Sequence, residues 1–360
     1  MVFKPFIRRP KFYRSVQSCY FCTAVEQGNP DSSVKTDLPK EKSLLNSQKL
    51  TGVRLKKHIA ELKHFFNKNP HIGAYQAFIP NDIMKKKPYK APEYVYLICP
   101  DIARKVANHI LNHTGPNQII AETNPGLGLI TQVLLKEGVS NLRLYELNHG
   151  FHNYLQGTFS SECDKVKLFK KDFFTMHKYA FYDSLDQGER VKSMLQGVAK
   201  KNWTEEPIMT IVGTITKYVF LKYLIRCIVL QKDLATYGRL DFFLICYSNL
   251  KNMFDDKIKI HKQSRAWVTL FNIFLKCELL DEFPRTSFLP WQGHSKEQQN
   301  PEPLYLLRIT IKKELSITES EYIPFYGFIK NVYGRGNLNV IPTCEVDFLL
   351  ENGYLDVEKI

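Results

Sequence analysis

Short apolar runs and longer amphipathic segments alternate along the chain from Tyr96 onward. Short runs rich in β-branched residues predict buried strands, and apolar residues that recur every three or four positions predict helices. Strands separated by helices favour an α/β fold with a doubly wound, mostly parallel sheet. The predicted strands cover residues 119–123, 142–146, 165–169, 208–212 and 240–247, and the predicted helices cover residues 101–112, 129–137, 149–159, 218–230 and 261–274.

The alternation changes toward both ends of the chain. Predicted strands at 277–283 and 304–311 follow each other without a helix, which indicates an antiparallel hairpin at the edge of the sheet. A helical pattern over 325–333 is followed by a glycine-rich break, which predicts a small helical appendage. Ahead of the sheet, residues 55–66 have helical spacing, and residues 27–50 have the polar, Gly/Pro/Ser-containing composition of a linker.

One unit of this alternation has the layout of a cofactor site. The strand at 119–123 is followed by a glycine turn, a helix and a second strand that ends in Glu146. Ligands of open α/β sheets bind at the carboxyl ends of strands, where Gly126 and Gly128 would let the backbone approach a ligand closely. Glu146 lies where such folds place an acid that binds ribose hydroxyls.

Three interpretations of this turn are open. A dinucleotide site needs a third glycine, and Thr131 stands in its place. Glu122, four residues before Gly126, fits the acid-then-glycine turn of S-adenosylmethionine enzymes better. A tight turn that binds no ligand is the third interpretation. Asp172, after the strand at 165–169, could accept a hydrogen bond from an adenine amine. An acid at the end of a strand can instead cap a helix, and this is the alternative for both Asp172 and Glu146.

Composition supports a folded protein and locates its charge. The 360 residues are 44% hydrophobic and 13% aromatic, enough for a substantial core. Of the net charge of +14, residues 1–90 contribute +12, from 18 basic and 6 acidic residues, and residues 91–360 contribute +2, from 32 and 30. The basic character is therefore a property of the N-terminal region.

The first 25 residues are basic, contain interleaved apolar residues and have no acid before Glu26. This pattern is typical of a mitochondrial presequence, with a basic nucleic-acid-binding arm or a tail without a role as alternatives. The longest apolar stretch, 218–230, is interrupted by Lys222 and Arg226 and is too short to cross a bilayer, so no membrane partner is expected. Cys19 and Cys22 have metal-ligand spacing, but the sequence contains no second Cys pair or His pair that would complete a site, so no metal is expected.

A basic segment precedes the predicted sheet and contains Lys85, Lys86, Lys87 and Lys90 around Pro88. It is either a solvated loop or a contact with a nucleic-acid backbone, in which each neutralised phosphate would add salt-sensitive affinity.

The glycine turn carries a resemblance to a known family. Residues 122–131 read ETNPGLGLIT, which resembles the E-x-G-P-G-x-G-x-L-T motif of the ribosomal RNA adenine dimethyltransferases. Asn124 replaces the first glycine, as in the second, transcription-specialised paralogue of the mitochondrial transcription factor B branch. Asn is the residue besides glycine that best tolerates positive φ, so the turn can be kept. Further matches lie at 96–103, 237–240 and 283–290.

The resemblance implies a Rossmann-like S-adenosylmethionine-dependent methyltransferase sheet with a small C-terminal helical domain. The implied organisation is a presequence at 1–25, a linker at 26–54, a basic extension at 55–95, a methyltransferase-like domain at 96–315 and the helical domain at 316–360. The implied cofactor is S-adenosyl-L-methionine, which would be vestigial if methylation has been lost. Its binding residues would be Leu97, Glu122, Gly126, Gly128, Glu146 and Asp172.

The loop after the fourth strand departs from the family pattern. The dimethyltransferases have Asn, an apolar residue, Pro and an aromatic residue there, of which the Asn accepts from the target amine and the ring stacks on the flipped base. In this chain Thr214, Thr216 and Lys217 stand in place of the Asn, Pro and aromatic residue, and Tyr218 could supply a ring only by a one-residue slip. Loss of an oriented acceptor costs about 2–4 kcal/mol and loss of a stacked base about 1–3 kcal/mol, so weak or absent methylation is predicted.

Two main functions follow from the resemblance. The first is a monomeric initiation factor of the mitochondrial matrix that helps the single-subunit mitochondrial RNA polymerase to melt promoter DNA. The second is an active dimethyltransferase of mitochondrial small-subunit ribosomal RNA, and a weaker third is a structural binder that has lost the cofactor. In the first function, separated single-stranded nucleic acid would contact Lys85, Lys86, Lys87, Lys90, Lys217, Tyr218 and Arg335.

Overall fold

A computed structural model describes residues 60–334, apart from residues 61, 74, 81–82, 84–93, 116–117, 255–261 and 291–301. All of these residues belong to one unit of the chain, Leu50–Ile360. The expectations for the presequence, the linker, Lys85, Lys86, Lys87, Lys90 and Arg335 lie outside the described residues. Residues 62–68 and Pro70–Gly73 are helical and precede the sheet.

The strands of the structure are β1 (Tyr96–Leu97), β2 (Ile119–Thr123), β3 (Leu142–Tyr145), β4 (Val166–Phe169), β5 (Met209–Ile215), β6 (Leu240–Cys246), β7 (Leu275–Phe283), β8 (Phe288–Leu289) and β9 (Leu304–Ile311). The longer helices are α1 (Pro100–Leu111), α2 (Leu129–Lys136), α3 (His149–Thr158), α4 (Met176–Asp186), α5 (Arg190–Met194), α6 (Val219–Leu230), α7 (Ser248–Met253), α8 (Lys262–Phe274) and α9 (Tyr322–Gly334).

Seven strands form the central sheet in the order β4-β3-β2-β5-β6-β9-β7. The strands from β4 to β6 are parallel to their neighbours, and β9 pairs antiparallel with both β6 and β7. The predicted mostly parallel sheet with an antiparallel hairpin at its edge is confirmed. The hairpin is oriented with β7 outermost, and its ladder is irregular between Leu279 and Asp281.

Side chains that alternate along the strands feed two separate apolar layers, one on each face of the sheet. In β6, Phe242 and Leu244 belong to one layer and Phe243 and Ile245 to the other. The first layer is completed by α6, in which eight of twelve residues are buried, together with α8 and α9. The second is completed by α1, α2 and α3. The result is a three-layer α/β/α architecture.

Two features of the structure, a pair of helices and a second small sheet, were absent from the sequence prediction. Residues 176–206 appear in the sequence as a polar excursion, but they contain α4 and α5. β1 and β8 pair antiparallel, with Tyr96 opposite Leu289 and Leu97 opposite Phe288. A two-residue strand is too short to show a periodicity, so this second sheet leaves no pattern in the sequence.

The C-terminal helix α9 packs on the main body of the described unit. Phe325, Phe328 and Ile329 belong to the same buried layer as Phe271 and Phe274 of α8. None of the helices in the described ranges is long and apolar enough to cross a membrane.

Candidate cofactor and nucleic-acid site

The glycine turn between β2 and α2 contains three residues with left-handed backbone. The φ angles are 52° at Asn124, 58° at Gly126 and 65° at Gly128, which is also the N-cap of α2. Asn124 donates its backbone N–H to the carbonyl of Tyr145 at 2.9 Å, which joins the turn to the end of β3. Asn is one of the few residues that adopt this conformation readily, so the turn is kept without the family's first glycine.

The two glycines are also required by close packing within the protein. A Cβ on Gly126 would lie 2.8 Å from Cδ1 of Tyr96, and a Cβ on Gly128 would lie 2.8 Å from Cδ2 of Leu155. The sequence suggested that these glycines leave room for a ligand. The neighbours seen in the structure are side chains of β1 and α3, so both glycines have a structural reason that the sequence did not reveal.

Glu122 lies on β2 and binds the start of α2. Its Oε2 accepts hydrogen bonds from the backbone N–H of Thr131, at 3.1 Å, and from the Thr131 hydroxyl. Burial raises the pKa of Glu122 to about 7, although the two bonds from Thr131 oppose this shift. Thr131, which occupies the place of a third dinucleotide-site glycine, is therefore the residue that anchors this carboxylate.

Glu146 follows β3 and holds the glycine turn from the other side. Its Oε2 accepts from the backbone N–H of Gly126 at 3.1 Å, and its Oε1 accepts from that of Asn148 at 2.8 Å. Burial raises its pKa to about 8, and the nearby charges of Asp172 and Glu122 act in the same direction. The cap of α3 is Asn148, whose side chain accepts from the N–H groups of Gly150 and Phe151, so the helix-cap alternative does not describe Glu146.

Asp172 lies after β4 and caps a short 3₁₀ helix. Its Oδ1 accepts from the backbone N–H of Phe174 at 2.9 Å, which is the cap that the sequence left open as an alternative. The side chains of Tyr94 and Asn124 also form hydrogen bonds with it. Burial nevertheless raises the pKa of Asp172 above the usual range. Asp172 is therefore a helix cap that also forms hydrogen bonds with the side chains of Tyr94 and Asn124.

The residues at this edge of the sheet fit S-adenosylmethionine. Glu122, Glu146 and Asp172 are all almost fully buried, and Glu146 lies within electrostatic range of the other two. A cationic group between them would relieve their repulsion, and S-adenosylmethionine carries a sulfonium and an ammonium group. Thr123 Oγ1 and Asn124 Oδ1 are buried at the turn without a hydrogen-bond partner, so donors of a bound group would satisfy them.

The segment Tyr94–Leu97 brings the predicted loops together. Tyr94 binds Asp172, Tyr96 lies against Gly126, and the carbonyl of Val95 accepts a hydrogen bond from the hydroxyl of Thr214. Leu97, the predicted cofactor neighbour, is the next residue of β1 and is buried. These contacts leave no signal in the sequence, because residues such as Val95 and Thr214 are 119 positions apart. The cap at Asn148, in contrast, could have been read from an Asn placed before a helix.

The altered target-base segment was expected as a loop after residue 212, but β5 continues to Ile215 and includes Gly213 and Thr214. Gly213 lies opposite Thr123, and a Cβ there would be 2.4 Å from the Thr123 carbonyl oxygen. Thr214 is buried and hydrogen-bonded to Val95, Thr216 is half-buried and Lys217 is exposed. Tyr218 is 40% exposed at the start of α6, with Nζ of Lys222 at 4.3 Å from its ring centroid.

The sheet order, with buried acids at the carboxyl ends of adjacent parallel strands, is that of a Rossmann-like α/β fold, in which ligands bind at this edge. The model of the family "Ribosomal RNA adenine dimethylase" matches residues 96–315, and the chain belongs to that family. Membership in the family, together with the fold, implies S-adenosylmethionine binding.

The chain is similar to two mitochondrial proteins of the same name. It is 25% identical over 302 residues to dimethyladenosine transferase 2, mitochondrial, of Drosophila melanogaster, with 78% of this chain and 66% of the relative covered. It is 22% identical over 264 residues to the Mus musculus protein of that name, with 68% and 66% covered. The chain therefore spans just under two thirds of the length of these relatives.

Solved structures that are similar to the chain include two transferases. The 23S rRNA methyltransferase ErmE is 14% identical, with a TM-score of 0.47, over 72% of this chain and 91% of the enzyme. A dimethyladenosine transferase from Plasmodium falciparum is 11% identical, with a TM-score of 0.43, over 67% and 71%.

Proposed function

We propose that the protein is a mitochondrial transcription initiation factor that uses a methyltransferase fold to bind separated nucleic-acid strands. In this role it would work in the matrix, as a monomer, with the single-subunit mitochondrial RNA polymerase on promoter DNA. The proposal draws on the resemblance to the transcription-specialised paralogue and on relatives that are named mitochondrial.

The observation that carries the proposal is the environment of Thr214. This residue stands where the dimethyltransferases have the Asn that accepts from the target amine. Its side chain is buried and its hydroxyl donates to the Val95 carbonyl, so it fastens β5 to the segment before β1. The neighbouring Lys217 replaces the aromatic residue and offers no stacking surface for a flipped base.

The buried carboxylates and the glycine turn support retention of the cofactor pocket. Glu122, Glu146 and Asp172 with the glycine turn would hold S-adenosylmethionine, which supplies a methyl group on a sulfonium when bound. Retained cofactor residues beside an altered target loop fit a protein that keeps the fold of the enzyme while its chemistry is weak.

The alternative is an active dimethyltransferase of mitochondrial small-subunit ribosomal RNA. The names of the relatives and the retained carboxylates favour it. Methyl transfer to an adenine amine depends mainly on positioning and needs no dedicated general base, so the absence of a catalytic His or Lys is compatible with it.

Methyl transfer from labelled S-adenosylmethionine to a small-subunit rRNA hairpin separates the two functions. The proposal predicts little transfer by the natural chain and a gain in a variant carrying Thr214→Asn, Thr216→Pro and Lys217→Phe, which restores the family loop. Rapid dimethylation by the natural chain would favour the enzyme. Run-off transcription from a duplex promoter with the matching polymerase tests the first function directly, because initiation should require the protein.

A further inference from the structure

A pocket of about 520 Å³ lies between α4, α6, α8 and α9, beside the start of α6. It is outside the group of buried carboxylates and shares no residue with them. Among the described residues, its lining combines cationic side chains with aromatic rings and contains no Asp or Glu. The residues that matter for its chemistry are Lys178, Phe181, Tyr182, Lys222, Trp267 and Lys330.

Two lysines from different helices lie against the same ring in this pocket. Nζ of Lys222 lies 4.6 Å and Nζ of Lys330 lies 3.8 Å from the ring centroid of Trp267. Burial lowers the pKa of both lysines, and the charge of Lys330 adds to the effect on Lys222. In the ranges that the structure describes, neither lysine has a carboxylate within ion-pair distance.

This arrangement fits an anion-binding site. Two like charges beside one ring repel each other, and the cation–π contacts with Trp267 offset only part of that repulsion. An anionic group between the two ammonium groups would satisfy both. Lys178 and Arg226 add further positive charge around the same pocket.

Exposed aromatic rings beside the pocket indicate which class of molecule carries the anionic group. Phe181 is 58% and Tyr182 is 53% exposed on α4, and Tyr218, whose ring lies against Lys222, is 40% exposed. Solvent-exposed rings next to lysines are the combination that binds single-stranded nucleic acid, because bases stack on the rings while phosphates contact the lysines. An acidic peptide or a free anion would make no use of these rings.

We propose that this pocket binds one phosphate of a single-stranded nucleic acid between Lys222 and Lys330, with the neighbouring bases stacked on Tyr218 and Phe181. The inference rests on the proposed function, in which the protein holds a separated strand, and it names where the strand is held. Tyr218 belongs to the altered target loop, and Lys222 lies one helical turn further along α6, so the bound strand runs from the former target-base position toward α9.

Fluorescence anisotropy of a labelled single-stranded DNA, titrated at several salt concentrations, tests the site. Each phosphate contact that is lost should lower the slope of log affinity against log salt by about 0.7, so Lys222→Gln with Lys330→Gln, which together remove the contact with one phosphate, should lower it by about 0.7. The double Lys→Arg variant keeps both charges and should retain the slope. Lys200→Gln is the matched control, because Lys200 also lies against a ring, that of Tyr237, outside the pocket.

The stacking contacts have a separate signature. Phe181→Ala and Tyr218→Ala remove exposed rings, which leaves folding intact, and each should weaken binding by roughly 5- to 100-fold with little change in the salt slope. These variants keep the proposal testable if the double lysine variant is unstable in a thermal melt.

Two results would overturn the site. If both sets of variants bind with the affinity and the salt slope of the wild type, the pocket is not the binding site, and the proposed function is unaffected. Competition by polyglutamate or inorganic phosphate as effective as that by unlabelled DNA would show a general anion patch. Absence of strand binding by the wild-type chain at low salt would instead contradict the proposed function itself.

Discussion

At the scale of single residues, burial determines the behaviour of the carboxylates at the ends of β2, β3 and β4. The pKa of Glu122 is raised to about 7 and that of Glu146 to about 8, and for both the largest cause is desolvation. The backbone and hydroxyl donors around them favour the charged forms without overcoming burial. Near neutral pH these groups are therefore partly protonated, and their charge responds to pH and to a bound cation.

The first prediction concerns the pH dependence of stability. The folded pKa of Glu146, about 8, is above its ordinary value of 4.5, so between these two values the folded state binds more protons than the unfolded state. The free energy of unfolding should therefore fall as pH rises through this window, with a slope of up to about 1.4 kcal/mol per pH unit from this group.

Denaturant unfolding between pH 5 and pH 9 measures this slope. Glu146→Gln should reduce it because the amide does not titrate, and Glu162→Gln, on the surface beside Lys165, is the matched control. Equal slopes for the wild type and Glu146→Gln would contradict the assignment.

The second prediction concerns the anchor of Glu122. Thr131→Val keeps the shape of the buried side chain and removes the hydroxyl that donates to Glu122, so it should destabilise the protein by about 1–3 kcal/mol. Thr158→Val removes an exposed hydroxyl that donates to the Tyr154 carbonyl, and its effect should stay within about 0.5 kcal/mol. Equal effects of the two substitutions in denaturant unfolding would show that the Glu122 bond is not important.

The positions of these carboxylates could be predicted from the sequence, but their partners could not. A strand followed by an acid places Glu146 and Asp172 at the carboxyl edge of the sheet. The donors to Glu146 come from Gly126, twenty residues away, and the bond from Thr214 to Val95 crosses 119 residues. Contacts of this range depend on how the elements pack, which periodicity does not specify.

At the scale of elements, the glycine turn, β1 and α3 form one packed unit. Tyr96 of β1 lies against Gly126 and its ring lies 4.7 Å from that of Phe151 of α3. Leu155 of α3 fills the space beside Gly128. The turn is therefore shaped by its neighbours on both sides.

A pair of glycine substitutions separates packing from backbone strain. Gly128 and Gly138 both have positive φ, but a Cβ on Gly128 would meet Leu155 at 2.8 Å, whereas a Cβ on Gly138 has no atom within 4 Å. Gly138→Ala should cost only the left-handed backbone strain of about 1–2 kcal/mol, and Gly128→Ala should cost more because α3 must also shift. Equal losses in denaturant unfolding would show that the turn is not held by α3.

Periodicity predicted the elements that have a clear apolar face and missed those without one. The strands of the parallel sheet and helices such as α1 and α6 agree with prediction within a few residues. In α4 only Met176 is buried, so no apolar stripe distinguished this helix from a polar loop. That omission hid the pocket described above, because α4 forms one of its walls.

At the scale of the whole molecule, the protein combines a cofactor edge with a cationic, aromatic pocket next to the altered target loop. Residues 91–360 carry a balance of only +2 between basic and acidic residues. The proposed binding of a single strand would therefore depend on local clusters such as Lys222 and Lys330 rather than on overall charge.

The cofactor edge leads to a prediction for S-adenosylmethionine. Isothermal calorimetry should detect weak binding by the wild-type chain, and Glu146→Ala should weaken it by roughly 10- to 100-fold through loss of a buried hydrogen-bond acceptor for the ligand. Glu162→Ala is the surface control, and a thermal melt of each variant confirms folding. Identical binding by the wild type and Glu146→Ala would exclude a cofactor at this edge.

The central claim is that the protein acts by holding open DNA. The most direct measurement is run-off transcription with the matching mitochondrial RNA polymerase on two templates, a closed promoter duplex and the same promoter mismatched at the start site. The account predicts that transcription from the duplex requires the protein, that the mismatched template does not, and that Lys222→Gln with Lys330→Gln reduces only the duplex reaction. A protein that changes neither reaction would contradict the claim and favour the dimethyltransferase.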